Sequence, residues 1–267
     1  MRGRPKNPTG TIYVFTLGFN LPSEIEQRTK ELYERNKGCK FKHYIIDLGF
    51  PLEFGSDIPD NIQRVKENNT AALMAICKEY GSEYLKFENI GVSQNYTQFM
   101  KAVSLKDDDV LICCDPDEIV HTDGWVNALA KVIRASDNMA WCGLSMADQV
   151  PCMETMDTVE KLNIKDIRVN KINGIISCAQ WGISGAFLNK CGGMPVPNGW
   201  SVYGFAEGAM YEKMLEFGWW WGMLPDYIVE HVEVSTLYRA YKTDITSGDF
   251  TGEKQIGFQE WIKTKQS

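Results

Sequence analysis

Two carboxylates set two residues apart, Asp115 and Asp117, close the run Leu111-Ile112-Cys113-Cys114-Asp115-Pro116-Asp117-Glu118. The four apolar residues before them have the length and make-up of a buried strand. Side chains two apart in an extended chain face the same way, so both acids could reach one small volume at the strand's carboxyl end. Open α/β sheets hold their ligands at that end. Like charges so close repel, which calls for a counter-charge. A divalent metal that also holds a diphosphate would supply it. The plain alternative is a strand-to-turn corner, with Pro116 breaking the ladder and Asp capping the turn.

Elements able to position this corner flank it on both sides. Thr11 to Phe15 reads as a first strand and Thr16 to Asn20 as its exit loop. Pro22-Ser23 opens a helix that Gly38 ends, and Phe41 to Leu48 reads as a second strand carrying a lone acid, Asp47, near its end. Asp47 is either a turn cap or an acceptor for a nucleotide base N–H. Residues 49–63 read as loop, Asn69 to Tyr80 as a helix, and Tyr84 to Phe87 as a third strand. The turn Asn89 to Ser93 leads into a helix that runs to about Ser104. This alternation predicts an α/β fold with a mostly parallel, doubly wound sheet and helices on both faces.

Beyond the corner, Thr122 is placed to cap a helix, and Met139 to Met146 reads as a strand. Residues 147–174 lack a clear period and read as a loop or small subdomain over a site. Ile175 to Trp181 reads as a strand, followed by small residues from Gly182 to Phe187 where a ligand or backbone could approach closely. Phe205 to Phe217 reads as a helix closed by Gly218, and a strand then runs to Val229, ending in Glu230-His231.

Composition narrows the class. The chain has 267 residues, enough for a substantial core, and is 44% hydrophobic and 24% charged, as globular proteins are. A net charge of -7 gives no general reason to bind nucleic acid or an anionic membrane. The apolar runs are strand-sized, so no membrane insertion is expected. The first residues have no apolar core of a secretory signal. The eight cysteines show no C-x-x-C pairing and mostly sit in apolar runs, which suits reduced thiols in a cytoplasm. Residues 1–10 read as a basic arm. Its Arg2-Gly3-Arg4-Pro5 is either a solvated terminus or a minor-groove contact, since it resembles an AT-hook core.

Four stretches in order resemble the family 2-like, inverting nucleotide-sugar glycosyltransferases with the GT-A fold. They are Ile46-Asp47-Leu48-Gly49, Asn89-Ile90-Gly91-Val92-Ser93-Gln94-Asn95, Cys114-Asp115-Pro116-Asp117, and Ala206-Glu207 followed by Lys213 and Gly218. The resemblance covers residues 11–231. It implies one GT-A domain, with 11–120 the nucleotide-binding half, 121–231 the acceptor and sugar half, and 232–267 a C-terminal extension.

The resemblance also implies roles. Asp117 would hold a divalent metal, with Asp115 directly or through water. His231 matches the family's late histidine and would be a third ligand, its alternative being a hydrogen-bonded strand-end residue. A nitrogen ligand beside carboxylates suits manganese better than magnesium. Asp47 would read the base, Thr16 and Leu17 would line the nucleoside pocket, and Asn95 would hold the loop or the ribose side. Asp115 and Gly185 complete the expected nucleotide-sugar site. Glu207 stands where most members have Asp and would be the base that deprotonates the acceptor hydroxyl; its alternative is a favourable acid in a first helical turn. Gln94 departs from the basic residue usual before the helix asparagine.

The function expected is therefore a metal-dependent hexosyltransferase using a nucleotide-diphosphate sugar, with UDP the first candidate. The acceptor stays open among a glycan, a small molecule and a hydroxylated DNA base. A sugar nucleotidyltransferase is the rival enzyme, but Thr16 to Asn20 lacks the Gly-rich, basic phosphate loop it would need. A non-catalytic nucleotide-sugar-binding protein is the third possibility.

Overall fold

Strand and helix alternate through the first half: β1 (Ile12–Gly18), α1 (Pro22–Arg35), β2 (Lys42–Asp47), α2 (Asp60–Tyr80), β3 (Glu83–Lys86), α3 (Val92–Ala102) and β4 (Val110–Cys113). The second half is less regular: β5 (Glu118–Val120), α4 (Trp125–Ala135), β6 (Met139–Met146), β7 (Asp157–Ile164), β8 (Ile167–Asn173), β9 (Trp181–Ser184), α5 (Gly185–Cys191), α6 (Ala206–Phe217) and β10 (Trp220–His231). The structure, a computed structural model, describes residues 10–18, 22–48, 60–87, 92–147, 157–174, 180–195 and 206–232.

All these strands join one sheet in the order β3-β2-β1-β4-β9-β6-β10-β8-β7, with β5 paired to β10. The parallel character expected from the sequence holds for β3-β2-β1-β4. Beyond β4 the sheet is mixed. β9 runs antiparallel between β4 and β6, and β10 is parallel to β6 but antiparallel to β8 and β5.

The period of two along the strands sorts the core. Tyr13, Phe15, Leu111 and Cys113 face a layer built by α3, α5 and α6, through Tyr96, Phe99, Phe187, Leu188 and Met210. Ile12, Val14, Val110, Ile112 and Cys114 face the other side, under Leu32 of α1 and the apolar side of α4. Aromatic contact is dense on the first face. Phe15 lies 5.1 Å from both Tyr96 and Phe99, and Trp141 stacks on Trp181 at 4.0 Å. Burial of each such ring contributes roughly 2–3 kcal/mol. Trp221 belongs to this core.

Several boundaries differ from the sequence reading, each for a physical reason. Residues 157–173 form the β7–β8 hairpin. β7 is an exposed edge strand, so it carries charges on both faces and no apolar period. Residues 175–179 of the strand expected at 175–181 lie outside the described residues; β9 covers Trp181–Ser184, and Gly185 opens a helix. The helix expected from Asn69 begins at Asp60. Thr122 does not cap α4. Gly124 precedes that helix in a left-handed conformation (φ 74), and the Thr122 hydroxyl accepts the Ile228 N–H at 3.1 Å.

The basic arm through residue 9, the acidic and aromatic loop 49–59, and the extension from 233 lie outside the described residues. All described cysteines are free thiols. No helix among the described residues is long and apolar enough to cross a membrane.

Candidate active site

The device that builds the site is β5. After β4 the chain turns at Pro116-Asp117 and immediately enters this short strand. β5 pairs antiparallel with the end of β10, and Glu118 stands directly opposite His231. Directly opposed residues in such a ladder bring their Cβ atoms to about 5 Å. The Val232 N–H also donates to the Asp117 carbonyl at 2.8 Å, tying the turn to the last strand. Two segments over a hundred residues apart are thus held together by backbone hydrogen bonds.

The result is a cluster of metal-ligand types. One atom each of Asp117, Glu118 and His231 lie within 4.8 Å of one another. His231 Nε2 is 3.4 Å from Asp117 Oδ2. Two ligands at right angles on an ion with bonds of about 2.1 Å would stand about 3 Å apart, so this spacing fits a divalent cation. The donor set, two carboxylates and an imidazole, fits manganese or magnesium and lacks the thiolates of a structural zinc site. Asp117 and Glu118 are buried and His231 is exposed, which leaves the cluster open on the histidine side.

Asp115 goes elsewhere. Its Oδ1 accepts the Cys113 thiol at 3.2 Å, on the α3 side of the sheet. The Tyr96 hydroxyl lies 3.8 Å from the same sulfur. Burial raises the Tyr96 pKa far above the ordinary value, and the nearby Cys113 thiol and the Asp115 and Glu207 carboxylates push it the same way. Asp115 and Glu207 therefore share one neighbourhood, on the side away from Glu118. Asp115 is not among the three clustered ligand types, and the turn at Pro116-Asp117 interrupts the extended geometry between the two aspartates.

Glu207 lies in the first turn of α6. It is exposed by surface area, yet protein packed around its carboxyl pushes its pKa above the ordinary 4.5, a backbone hydrogen bond opposing the shift. Both hold for a carboxyl on a concave rim. Below it, between α3 and α6, runs a groove of about 720 Å³ lined by Gln94, Thr97, Gln98, Lys101, Glu212 and Lys213 among others.

The remaining expected residues sit deeper. Asp47 has no exposed surface, and its Oδ2 accepts the Thr70 and Tyr84 hydroxyls at 2.7 Å each. The Thr16 hydroxyl is buried 3.2 Å from His43 Nε2 and also bonds the Cys114 thiol. Leu17 packs on the core under α3. Asn95 is fully buried, with its Oδ1 accepting Gln98 Nε2 at 3.3 Å. Gly185 is a correction. Ser184, its neighbour, pairs with Val110 at the start of β4, the opposite end of the strand from the acids. A Cβ on Gly185 would meet the Lys106 carbonyl at 2.1 Å, so the glycine allows a backbone crossing there and not a donor approach.

Two residues at the corner escaped the sequence reading. Glu118 follows the acid pair directly, but its role depends on β5, a strand of three residues with no detectable period. Gln180 is buried and polar, immediately before an apolar strand. Its N–H donates to Glu118 Oε2 at 2.8 Å and its Nε2 to the Asp115 carbonyl at 3.1 Å.

A parallel first half, a mixed second half and an acid corner after the fourth strand are the marks of a GT-A fold, and two solved structures superpose on this chain. One is the crystal structure of GalNAc-T7 with UDP, GalNAc and Mn2+, with a TM-score of 0.55 and 12% identity over 88% of this chain and 48% of that one. Another is the crystal structure of a mycobacterial protein, with a TM-score of 0.52 and 12% identity over 85% of this chain and 69% of that one. The chain thus spans about half the length of the GalNAc-T7 chain it matches. No protein-family model matches the sequence, and no curated protein does.

Proposed function

We propose that this chain is a metal-dependent glycosyltransferase that moves a sugar from a nucleoside-diphosphate donor to an acceptor hydroxyl. The observation that carries the reading is the meeting of Asp117, Glu118 and His231 at the carboxyl edge of a GT-A sheet. Because a GT-A neighbour holds UDP and Mn2+, a UDP-sugar is the donor to test first.

Asp117 and His231 would hold the ion directly, and Glu118 would complete the set from the inner side. Bound there, a divalent cation supplies charge neutralisation for the departing diphosphate. Asp115 faces the side of Tyr96 and Glu207, where the sugar would lie between donor and acceptor. Glu207 would take the proton of the attacking hydroxyl, and its raised pKa makes it a better base than an ordinary glutamate. One such displacement inverts the anomeric centre. The α3–α6 groove begins one turn beyond Glu207, has the volume of a small-molecule site, and carries amides and paired charges suited to a polyhydroxylated acceptor.

The direct test is donor hydrolysis and thermal shift with UDP and UDP-sugars, with and without Mn2+. Binding to the native state raises its melting temperature. Full turnover in the presence of a chelator would sink the metal reading. Donor binding without hydrolysis or transfer would favour a binding protein instead.

A further inference from the structure

Behind the acid corner, on the face away from Glu207, a narrow cleft is lined by Arg28, Glu31, Arg35, Cys114, Glu118 and Gln180 among others. It leaves about 10 Å³ for the centre of a water molecule, the space of a single one. Arg28 is 5% exposed and Gln180 1%. Among the described residues, Arg28 Nε and Gln180 Oε1 have no hydrogen-bond partner. One is a donor and the other an acceptor, and buried polar atoms of this kind are nearly always satisfied, often by water.

Gln180 also holds an uncommon backbone conformation for its type, with φ 45. That conformation aims its N–H at Glu118 Oε2 while its side-chain amide reaches the Asp115 carbonyl. Its own carbonyl accepts the Leu144 N–H at 3.3 Å, anchoring it to β6. A single residue thereby grips both ends of the Asp115–Glu118 turn.

We infer that Gln180 is a positioning residue that sets the geometry of the metal cluster, backed by one buried water joining its Oε1 to Arg28 Nε. The inference rests on the metal reading given above. Glu118 is turned inward by the Gln180 N–H and shares its cleft with the buried Arg28 guanidinium, which pairs with Glu31 at 2.6 Å. His231 is left on the open side of the cluster. Gln180 touches neither donor nor acceptor in this scheme; it acts through Glu118 and the Asp115 carbonyl.

The test is Mn2+ titration into the full chain, with free ion followed by its EPR signal. Unaltered protein should bind Mn2+, and Asp117→Ala should abolish binding. Gln180→Leu, which loses the amide, should weaken binding by about 10–100-fold, the usual effect of removing an outer-sphere partner. Gln180→Gly accepts the positive φ without strain and guards against misfolding; it should weaken binding by about 10-fold while its metal-free melting curve stays near that of the parent. Arg28→Lys keeps the charge but removes Nε, and should cause a several-fold loss. In the Gln180 and Arg28 variants the Mn2+ requirement of donor hydrolysis should rise while kcat at saturating Mn2+ recovers. Unchanged Mn2+ affinity in both Gln180 variants, with Asp117→Ala still silent, overturns the positioning role alone. Failure of the unaltered protein to bind Mn2+ overturns it together with the metal reading.

Discussion

Two strands of this sheet lead to an acid on the same edge, and the two acids meet opposite fates. Asp47 ends β2 and is sealed off, with Thr70 and Tyr84 hydroxyls on its carboxylate. Asp117 follows β4 and is joined by Glu118 and His231, with the histidine side open to solvent. Hydroxyl donors satisfy a buried carboxylate and lower the energy of the fold. Three groups of ligand type, two of them acids, crowd together at a cost that a bound cation would offset. The difference teaches that position at a strand end is not enough. What makes a site is a second segment arriving at the same place, and the end of β10 arrives beside Asp117 through β5.

The sharpest way to break this contrast is Asp117→Ala. It should abolish Mn2+ binding and cut transfer by more than about 10³-fold, the effect of losing several kcal/mol of charge stabilisation. Mn2+ titration and donor hydrolysis read the two effects separately. Retained Mn2+ affinity would move the ion to another place. Glu207→Gln should come next, cutting kcat by about 10²–10³-fold while Mn2+ and donor affinities hold. A base with a raised pKa must be deprotonated to act, so kcat should rise with pH along an acid limb lying above 4.5, and that limb should vanish in the variant. A pH profile unchanged by the substitution would remove Glu207 from the chemistry.

Much of the sealed region was legible in the sequence, and the reason is local. Ile12 to Phe15, Ile45 to Asp47 and Val110 to Cys113 are buried strands with helices between them, so apolar runs and turn residues mark their limits. The acid corner was legible as chemistry but not as geometry. Asp117 and His231 do meet, yet the pairing of β5 with β10 joins segments far apart in sequence and leaves no local pattern. Gly185 shows the converse error. A small residue leaves room for a ligand or for backbone, and here it makes room for the Lys106 carbonyl. Gln180 carried no signal beyond being polar, because its work depends on one unusual φ angle and on neighbours over sixty residues away.

On the sealed side the effects should be smaller and should fall on stability. Asp47→Asn keeps the shape but exchanges an acceptor oxygen for an N–H facing the same hydroxyls, and should cost about 1–3 kcal/mol while Mn2+ binding holds. Denaturant unfolding measures the first and titration the second. Weaker UDP binding with no loss of stability would instead return Asp47 to the role of base reader.

The mildest test concerns His43, buried in β2 between Thr16 Oγ1 at 3.2 Å and Ser82 Oγ at 2.8 Å. Burial lowers its pKa from 6.5 to about 3, so the folded protein holds it neutral. The unfolded chain binds the proton first as pH falls. Its contribution to stability is therefore complete above 6.5 and declines as pH drops toward about 3. Between about pH 7 and about pH 5 the loss should be about 1–2 kcal/mol, read as a fall in the urea midpoint. His43→Gln keeps a hydrogen-bonding side chain between the two hydroxyls and should remove most of that slope at a modest cost at neutral pH. A slope that survives the substitution would assign the acid sensitivity to the carboxylates of the corner, and the contrast between a sealed edge and a responsive one would then reduce to a single site.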